Sequence, residues 1–484
     1  MMRKHIPLIA GTLTFILLAS LFFLWTSGDF SPVISKHIPG MDGEPSDKAT
    51  RETAACENVV IGEFFKKFSD KYEQSASLWP RFRGPDFNNM SREEAKLSDL
   101  RDSQTCEILW NIKLGEGHAA AAVLNGKVFV LDYLEEEKSD ALRCFSLEDG
   151  TELWRRWYKV AVKRNHGISR TIPAVTEKYT VTIGPRCQVM CVKTDSGDLL
   201  WGKDLVKEFG TTVPGWYTGQ CPLILYDQAI IAPAGKDVLV FGADCETGKI
   251  LWKTPNRRNW QMSHSSLIPM SFGGKKFLIY SAVGGICGIS IEGNDCGQIL
   301  WETEEFNHKV VAPSPLPLDG GRFLVTAGYG AGAALFQLRE SGGEFSVEKL
   351  KSYPPTGGLC SEQQTPILYD GHIFSILPKD AGTLNGQFAC AKEDEPDKIL
   401  WSSGKTERFG FGPYLIADGK FFILNENGEL NAAKASTGEF QKLGTFKALA
   451  GTDAWGPIAL TDGKMIIRDS TTMTCIRLSN KKDK

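Results

Sequence analysis

Five side chains of this 484-residue chain are the best suited to hold a ligand: Arg170, Trp216, Tyr217, Arg408 and Trp455. An indole such as Trp216 or Trp455 stacks on a planar group, and a guanidinium such as Arg170 or Arg408 grips a carboxylate with paired N–H donors. Between them stand His166, His264, His308, Gln363, Gln364, Phe411 and Asp453. The three histidines do not read as a metal set, because no short spacing joins them. The twelve cysteines show neither zinc spacing nor an adjacent Cys-Cys pair. Neither a G-x-S-x-G elbow nor an H-E-x-x-H helix is present to anchor hydrolysis. Gly328-Tyr329-Gly330-Ala331-Gly332 lacks the Lys-Ser/Thr of a phosphate loop, so it reads as a small-residue strand near a crowded axis. No catalytic residue and no metal ligand is therefore assigned.

What must position these side chains is a repeat. A tryptophan returns about every 45 to 50 residues behind a short turn, at Trp154, Trp201, Trp252, Trp301 and Trp401. In four copies a glycine stands four residues earlier, at Gly150, Gly197, Gly248 and Gly297. Each unit thus reads as a tight turn followed by an apolar strand that carries a large aromatic, the pattern of a β-propeller blade. Asn125-Gly126, Asp319-Gly320, Asp370-Gly371, Asp418-Gly419 and Asp462-Gly463 lie between apolar strands, as type I′ hairpins require. Pro173, Pro222, Pro315, Pro366, Pro413 and Pro457 stand before first strands, where the missing N–H costs no ladder bond.

These signals end units near Trp154, Trp201, Trp252, Trp301, Leu350, Trp401 and Lys442. An eighth, starting at Pro457, runs out after Leu478 before any outer strand. Cys106-Glu107-Ile108-Leu109-Trp110, far upstream, has the missing character. If it completes the last unit, the two ends of the chain close an all-β, eight-bladed β-propeller, and the edge strands of an open array are hidden. Loops leading into the innermost strands then surround the channel and bring the ligand candidates to its mouth. Cys144, Cys191, Cys390 and Cys475 fall in equivalent strands and are expected between blades; disulfides stay open, with no connectivity readable.

The amino-terminal region is of another kind. Ile6 to Trp25 is an uncharged apolar run preceded by Arg3, Lys4 and His5. It is long enough for a transmembrane helix, read as an uncleaved anchor with the remainder exported. The expected domains are 1–27 (cytoplasmic tip and anchor), 28–78 (linker) and 79–484 (propeller). Within the linker, Val60, Phe64, Phe65, Phe68 and Tyr72 recur at spacings of three and four, which predicts a short amphipathic helix. Against 55 basic residues there are 58 acidic ones, a net charge of −3. That balance lacks the basic excess of a nucleic-acid binder.

Ala243-Asp244-Cys245-Glu246-Thr247-Gly248-Lys249-Ile250-Leu251-Trp252 resembles the tryptophan-docking repeat of quinoprotein (PQQ) propellers, and the other copies are weaker versions of it. Aspartate never follows the tryptophan, unlike in WD40 repeats. Trp79-Pro80-Arg81-Phe82-Arg83-Gly84-Pro85 is similar to the lead-in of planctomycete-type PQQ-like propellers. The resemblance spans about residues 79 to 480 and implies two functions. One is that of the propeller lipoprotein in outer-membrane β-barrel assembly, a non-catalytic scaffold. The other is a PQQ-dependent dehydrogenase, with PQQ on the axis beside calcium, an aspartate base and usually an adjacent Cys-Cys pair. With that pair absent and no aspartate assignable, the expected function is a membrane-anchored extracytoplasmic binding or scaffold module. Its expected partner is a protein or a small-molecule or glycan ligand at the channel face. PQQ is the one cofactor the resemblance keeps open, and a lectin-like propeller is a third possibility.

Overall fold

The computed structural model describes residues 59–478, apart from 94, 103 and 104. Eight antiparallel sheets follow one another along the chain, seven of four strands and the first of six. They are the eight blades of a propeller, at 122–159, 174–204, 223–255, 268–303, 316–353, 367–402, 414–447 and 459–477. The fourth strand of the last blade comes from upstream. Glu107–Lys113 pairs antiparallel with Thr472–Arg477, from Glu107 opposite Arg477 to Lys113 opposite Thr472. The ring is closed by joining the two ends of the described chain, as the strand around Trp110 predicts.

The register explains the repeat residue by residue. In each outer strand with a docking tryptophan, the leucine just before it is skipped in the pairing, a β-bulge that turns the indole toward the next blade. Opposite the indole, on the third strand, stands a small residue: Cys475, Cys144, Cys191, Gly242, Gly288 and Cys390 in turn. A Cβ on Gly242 would come within 2.3 Å of the Trp252 ring, so nothing larger than glycine fits there. The glycine of the repeat is the docking surface itself. A Cβ at Gly150 would lie 2.8 Å from Trp110, and one at Gly248 would lie 2.6 Å from Trp201. Trp154, Trp201 and Trp252 likewise seat on the turn of the following blade, and Trp401 donates to the Thr437 carbonyl of the next turn. Trp301 differs and stacks on Phe323 of the fifth blade at 5.2 Å. Trp110 of the last blade seats on the first. Its Nε1 donates to the Leu147 carbonyl at 3.0 Å, as Trp201 donates to that of Cys245 at 2.8 Å.

Four of the expected hairpins have both central residues at positive φ, such as Asn125 at 51° and Gly126 at 81°. Asp319-Gly320 differs, because a short 3-10 turn at Asp319–Gly321 places the positive φ on Gly320 and Gly321 instead. Tyr226 and Asp227, at 53° and 55°, form an equivalent turn in the third blade without any glycine.

The amphipathic helix expected over 60–72 is not formed. Phe64–Lys67 is a strand, paired antiparallel with the outer strand of the first blade from Phe64 opposite Trp157 to Lys67 opposite Trp154. An isolated helix this short is marginal in water, whereas an outer strand offers a full row of unpaired N–H and C=O groups. Both faces of the added strand are also used: Phe64 stacks on Trp157 at 5.6 Å, and Phe65 lies against Trp154 and the Arg156 guanidinium. The predicted apolar span, 6–25, lies outside the described residues. Among those described, no helix is long and apolar enough to cross a membrane.

The lead-in at 78–91 crosses the axis. Leu78–Trp79 pairs with the inner strand of the first blade, and Val175 of the second donates to the Pro80 carbonyl at 2.9 Å. Three residues later Arg83 reaches the sixth blade, donating to the Thr365 and Pro366 carbonyls at 3.0 and 3.1 Å. Asn89 then joins the seventh through Tyr414 and Ile416. Three residues of chain span at most about 10 Å, so a link between nearly opposite blades runs through the channel. Arg83 is 2% exposed and bonded only to carbonyls, with a third at Phe87, and burial pushes its pKa down to about 10. Arg83→Met is expected to cost at least about 2 kcal/mol, since three buried carbonyls lose their donor. Denaturant unfolding measures the loss, and limited proteolysis should cut between 79 and 91 first. Unchanged resistance there would show that the plug stands without Arg83.

Candidate functional site

With the axis filled by the lead-in, the face left for binding is formed by the loops that carry each outer strand into the next inner strand. Two aromatic groups assemble there. In the first, Trp455 (loop into the eighth blade) lies parallel to His118 (loop into the first) at 4.7 Å. His166 and Phe411 meet it edge-on at 5.7 and 5.6 Å. The Gln364 amide donates to the backbone carbonyls of Trp455 at 3.0 Å and Phe411 at 3.3 Å. The Trp455 indole donates to Glu426 at 3.2 Å, and the Phe411 N–H reaches the same carboxylate oxygen. Burial raises the Glu426 pKa.

In the second group Trp216 lies between His264 at 6.2 Å and Tyr329, which stacks nearly parallel to it, also at 6.2 Å. The Lys379 ammonium sits 4.7 Å from the Tyr329 ring centre and pairs at 3.3 Å with Glu362, a carboxyl whose pKa burial raises. Tyr329 comes from a turn, 328–331, between two strands of the fifth blade. The sequence reading of a strand through Gly328–Gly332 is corrected by this turn. The glycines flanking Tyr329 let the chain reverse and present the ring, 44% exposed, over the mouth.

Arg170 connects the two groups. Its Nε donates to the Trp216 carbonyl at 2.6 Å, and Nη2 donates to the carbonyls of His166 at 2.7 Å and Asn165 at 3.2 Å. Burial lowers its pKa to about 10. Burial and then the Arg170 charge hold His264 down to about 3, and His118 well below its ordinary 6.5 for the same leading reasons. Both imidazoles are neutral near pH 7.

Of the residues named from sequence, Arg170, Trp216, Trp455, His166, His264, Gln364 and Phe411 meet at this mouth. Tyr217 is spent on the loop, its hydroxyl donating to the Lys163 carbonyl. Arg408 is exposed and bonded to Asn385 and Thr383, and His308 packs on Phe306 instead. Asp453 carries a turn at φ 59°, while Gln363 lines a cleft beside Glu362 and Phe411 with room for about one water. Sequence reasoning missed His118, Tyr329, Lys379, Glu362 and Glu426. His118 was accessible, because it stands just before the first inner strand as His166 stands before the second. The others lie beyond the inner-strand loops or next to Gln363, and nothing local marks them.

PQQ does not fit the residues present. On each indole that could stack on its ring one face is already taken by protein, Trp455 by His118 and Trp216 by Tyr329, and the axis where it would lie is filled by the lead-in. Among the described residues no three His, Cys, Asp or Glu side chains gather closely enough to share a metal ion.

Residues 138–305, about a third of the chain, match the family described as outer membrane protein assembly factor BamB. BamB from Moraxella catarrhalis, 11% identical, superposes with a TM-score of 0.51 over 77% of this chain and 99% of its own. A quinohemoprotein alcohol dehydrogenase from Pseudomonas putida HK5, 13% identical, superposes at 0.53 over 84% and 81%. No curated protein sequence gives a significant match. At such identities the structural likeness carries the fold alone: an eight-bladed propeller built from PQQ-like repeats.

Proposed function

We propose that this propeller of PQQ-like repeats is a non-catalytic binding module, held at a membrane by its amino-terminal apolar segment with the blades on the extracytoplasmic side. The observation that carries this reading is the filled axis. The lead-in occupies the channel through Arg83 and Asn89, and each of the two indoles at the mouth already has one face stacked on a protein ring. What is left for recognition is the loop surface, the usual working part of a propeller scaffold. The family described as an outer membrane protein assembly factor supports a protein partner over a redox substrate. Cross-linking in intact membranes followed by purification should recover one protein at near-equal amount, lost when the loops at 165–170 and 213–217 are replaced. Recovery of no stoichiometric partner would overturn the reading.

A further inference from the structure

Buried or half-buried arginines of this propeller, among them Arg83, Arg156, Arg468 and Arg170, are bonded to backbone carbonyls, and Arg170 is the one that stands at the mouth. Arg83 and Arg468 are each 2% exposed and sealed in protein. Arg468 spends its donors on the carbonyls of Ala119, Gly115, Asp469 and Ser470. Arg170 is pinned through Nε and Nη2 alone, and its surface remains partly open to the mouth. Among the described residues no carboxylate pairs with it, and its Nη1 carries no hydrogen bond. A guanidinium largely embedded in protein with no carboxylate in contact is a poorly compensated cation, the Glu116 charge acting on it only from a distance.

The neighbouring acids are already engaged. Glu116 pairs with Arg164 at 2.5 Å, and Glu362 pairs with Lys379 at 3.3 Å. The other polar groups near Arg170 are the Tyr217 and Tyr329 phenols and two neutral imidazoles: His264 beside Trp216, and His118, 7% exposed, whose Nδ1 has no hydrogen-bond partner. The local balance is thus a single positive charge with spare N–H donors, edged by the rings of Trp216 and Tyr329. A dianion such as phosphate would leave one negative charge in excess, whereas one carboxylate matches, and guanidinium–carboxylate bonds are among the strongest available.

We propose that the mouth beside Arg170 binds the carboxylate of an organic monoanion, whose apolar or planar body lies along the exposed edges of Tyr329 and Trp216. Arg170 Nη1 supplies the charged donors, and the three carbonyl bonds behind it hold the guanidinium in place before the ligand arrives. The proposal rests on the reading of this face as the binding face.

The test is a calorimetric titration of the full chain with benzoate, with benzamide as its neutral counterpart and with inorganic phosphate. Saturable benzoate binding is expected, at least about tenfold tighter than benzamide and not displaced by phosphate. Arg170→Gln should weaken benzoate at least about tenfold. Since Arg170 also ties two loops together, Tyr329→Ala serves as the second variant: it removes a half-exposed ring that stacks on Trp216 while leaving the Arg170 bonds in place, and should weaken benzoate severalfold. No saturable benzoate binding, equal affinity for benzamide, preference for phosphate, or benzoate binding untouched by both variants would each overturn the site. Partner recovery by cross-linking is read separately, so failure of the anion site and failure of the scaffold reading are distinguishable.

Discussion

Trp110→Ala is expected to destabilise the protein by about 3–5 kcal/mol, the range for deleting a buried large aromatic. The side chain is 7% exposed and belongs to the only upstream strand of the last blade, so it closes the ring rather than merely filling one interface. Its loss removes the hydrogen bond to Leu147 and the ring seated on Gly150, at the seam where the two ends of the chain meet. An opened seam exposes Thr472–Arg477 as an edge. Amide exchange should therefore accelerate first in that strand and in Glu107–Lys113, while the middle blades hold. Leu350→Ala, at a 44% exposed position of the fifth blade's outer strand, is the control and should change stability by less than about 0.5 kcal/mol. A loss below about 1 kcal/mol for Trp110→Ala would mean that closure depends on the strand pairing alone.

Asp140→Asn should stabilise the protein, and only at higher pH. Asp140 is 1% exposed between the first two blades. Its Oδ2 accepts from the Tyr158 hydroxyl at 2.8 Å, and its Oδ1 has no partner among the described residues. Burial, reinforced by the nearby Asp132 charge, pushes its pKa up from 3.8 to about 7, against the opposing hydrogen bond from Tyr158. The folded protein therefore holds this proton more tightly than the unfolded chain. The stability it contributes is fully present below pH about 4, falls as pH rises, and is gone above pH about 7. A shift of about three units amounts to ~4 kcal/mol. The amide keeps the shape without the charge, so the variant should exceed the native protein by up to ~4 kcal/mol at pH 8 and match it within about 1 kcal/mol at pH 4. Urea unfolding across that range measures the difference. A constant offset at every pH would show that Asp140 does not titrate with folding.

The repeat was legible because its signals are local. A leucine skipped at a bulge, a small residue opposite the indole and a glycine that receives the preceding blade's indole all lie within one unit, and copying the unit copies the signal. Even closure could be read, since one unit lacked an outer strand and one stray strand lacked a unit. The segment at 60–72 shows where that logic fails. Its apolar spacing satisfies a helix, but the free edge of the first blade, sequence-distant and invisible in the pattern, makes it a strand. Half of the candidate site was legible for a similar reason: Arg170, Trp216 and Trp455 occupy equivalent loop positions. What those positions could not convey is that the rings would be stacked on His118 and Tyr329 rather than left open.

The amino-acid sequence by itself determined the number of blades, their order and the way the ring closes, because periodic burial and turn chemistry act over short stretches and need no knowledge of distant neighbours. Only the tertiary structure decided what fills the axis and which charge at the mouth stands alone. Arg83 meets Thr365, and Arg170 keeps Nη1 unpaired, through contacts between segments far apart in the chain. Such contacts depend on how eight blades converge on one axis, which no single repeat encodes.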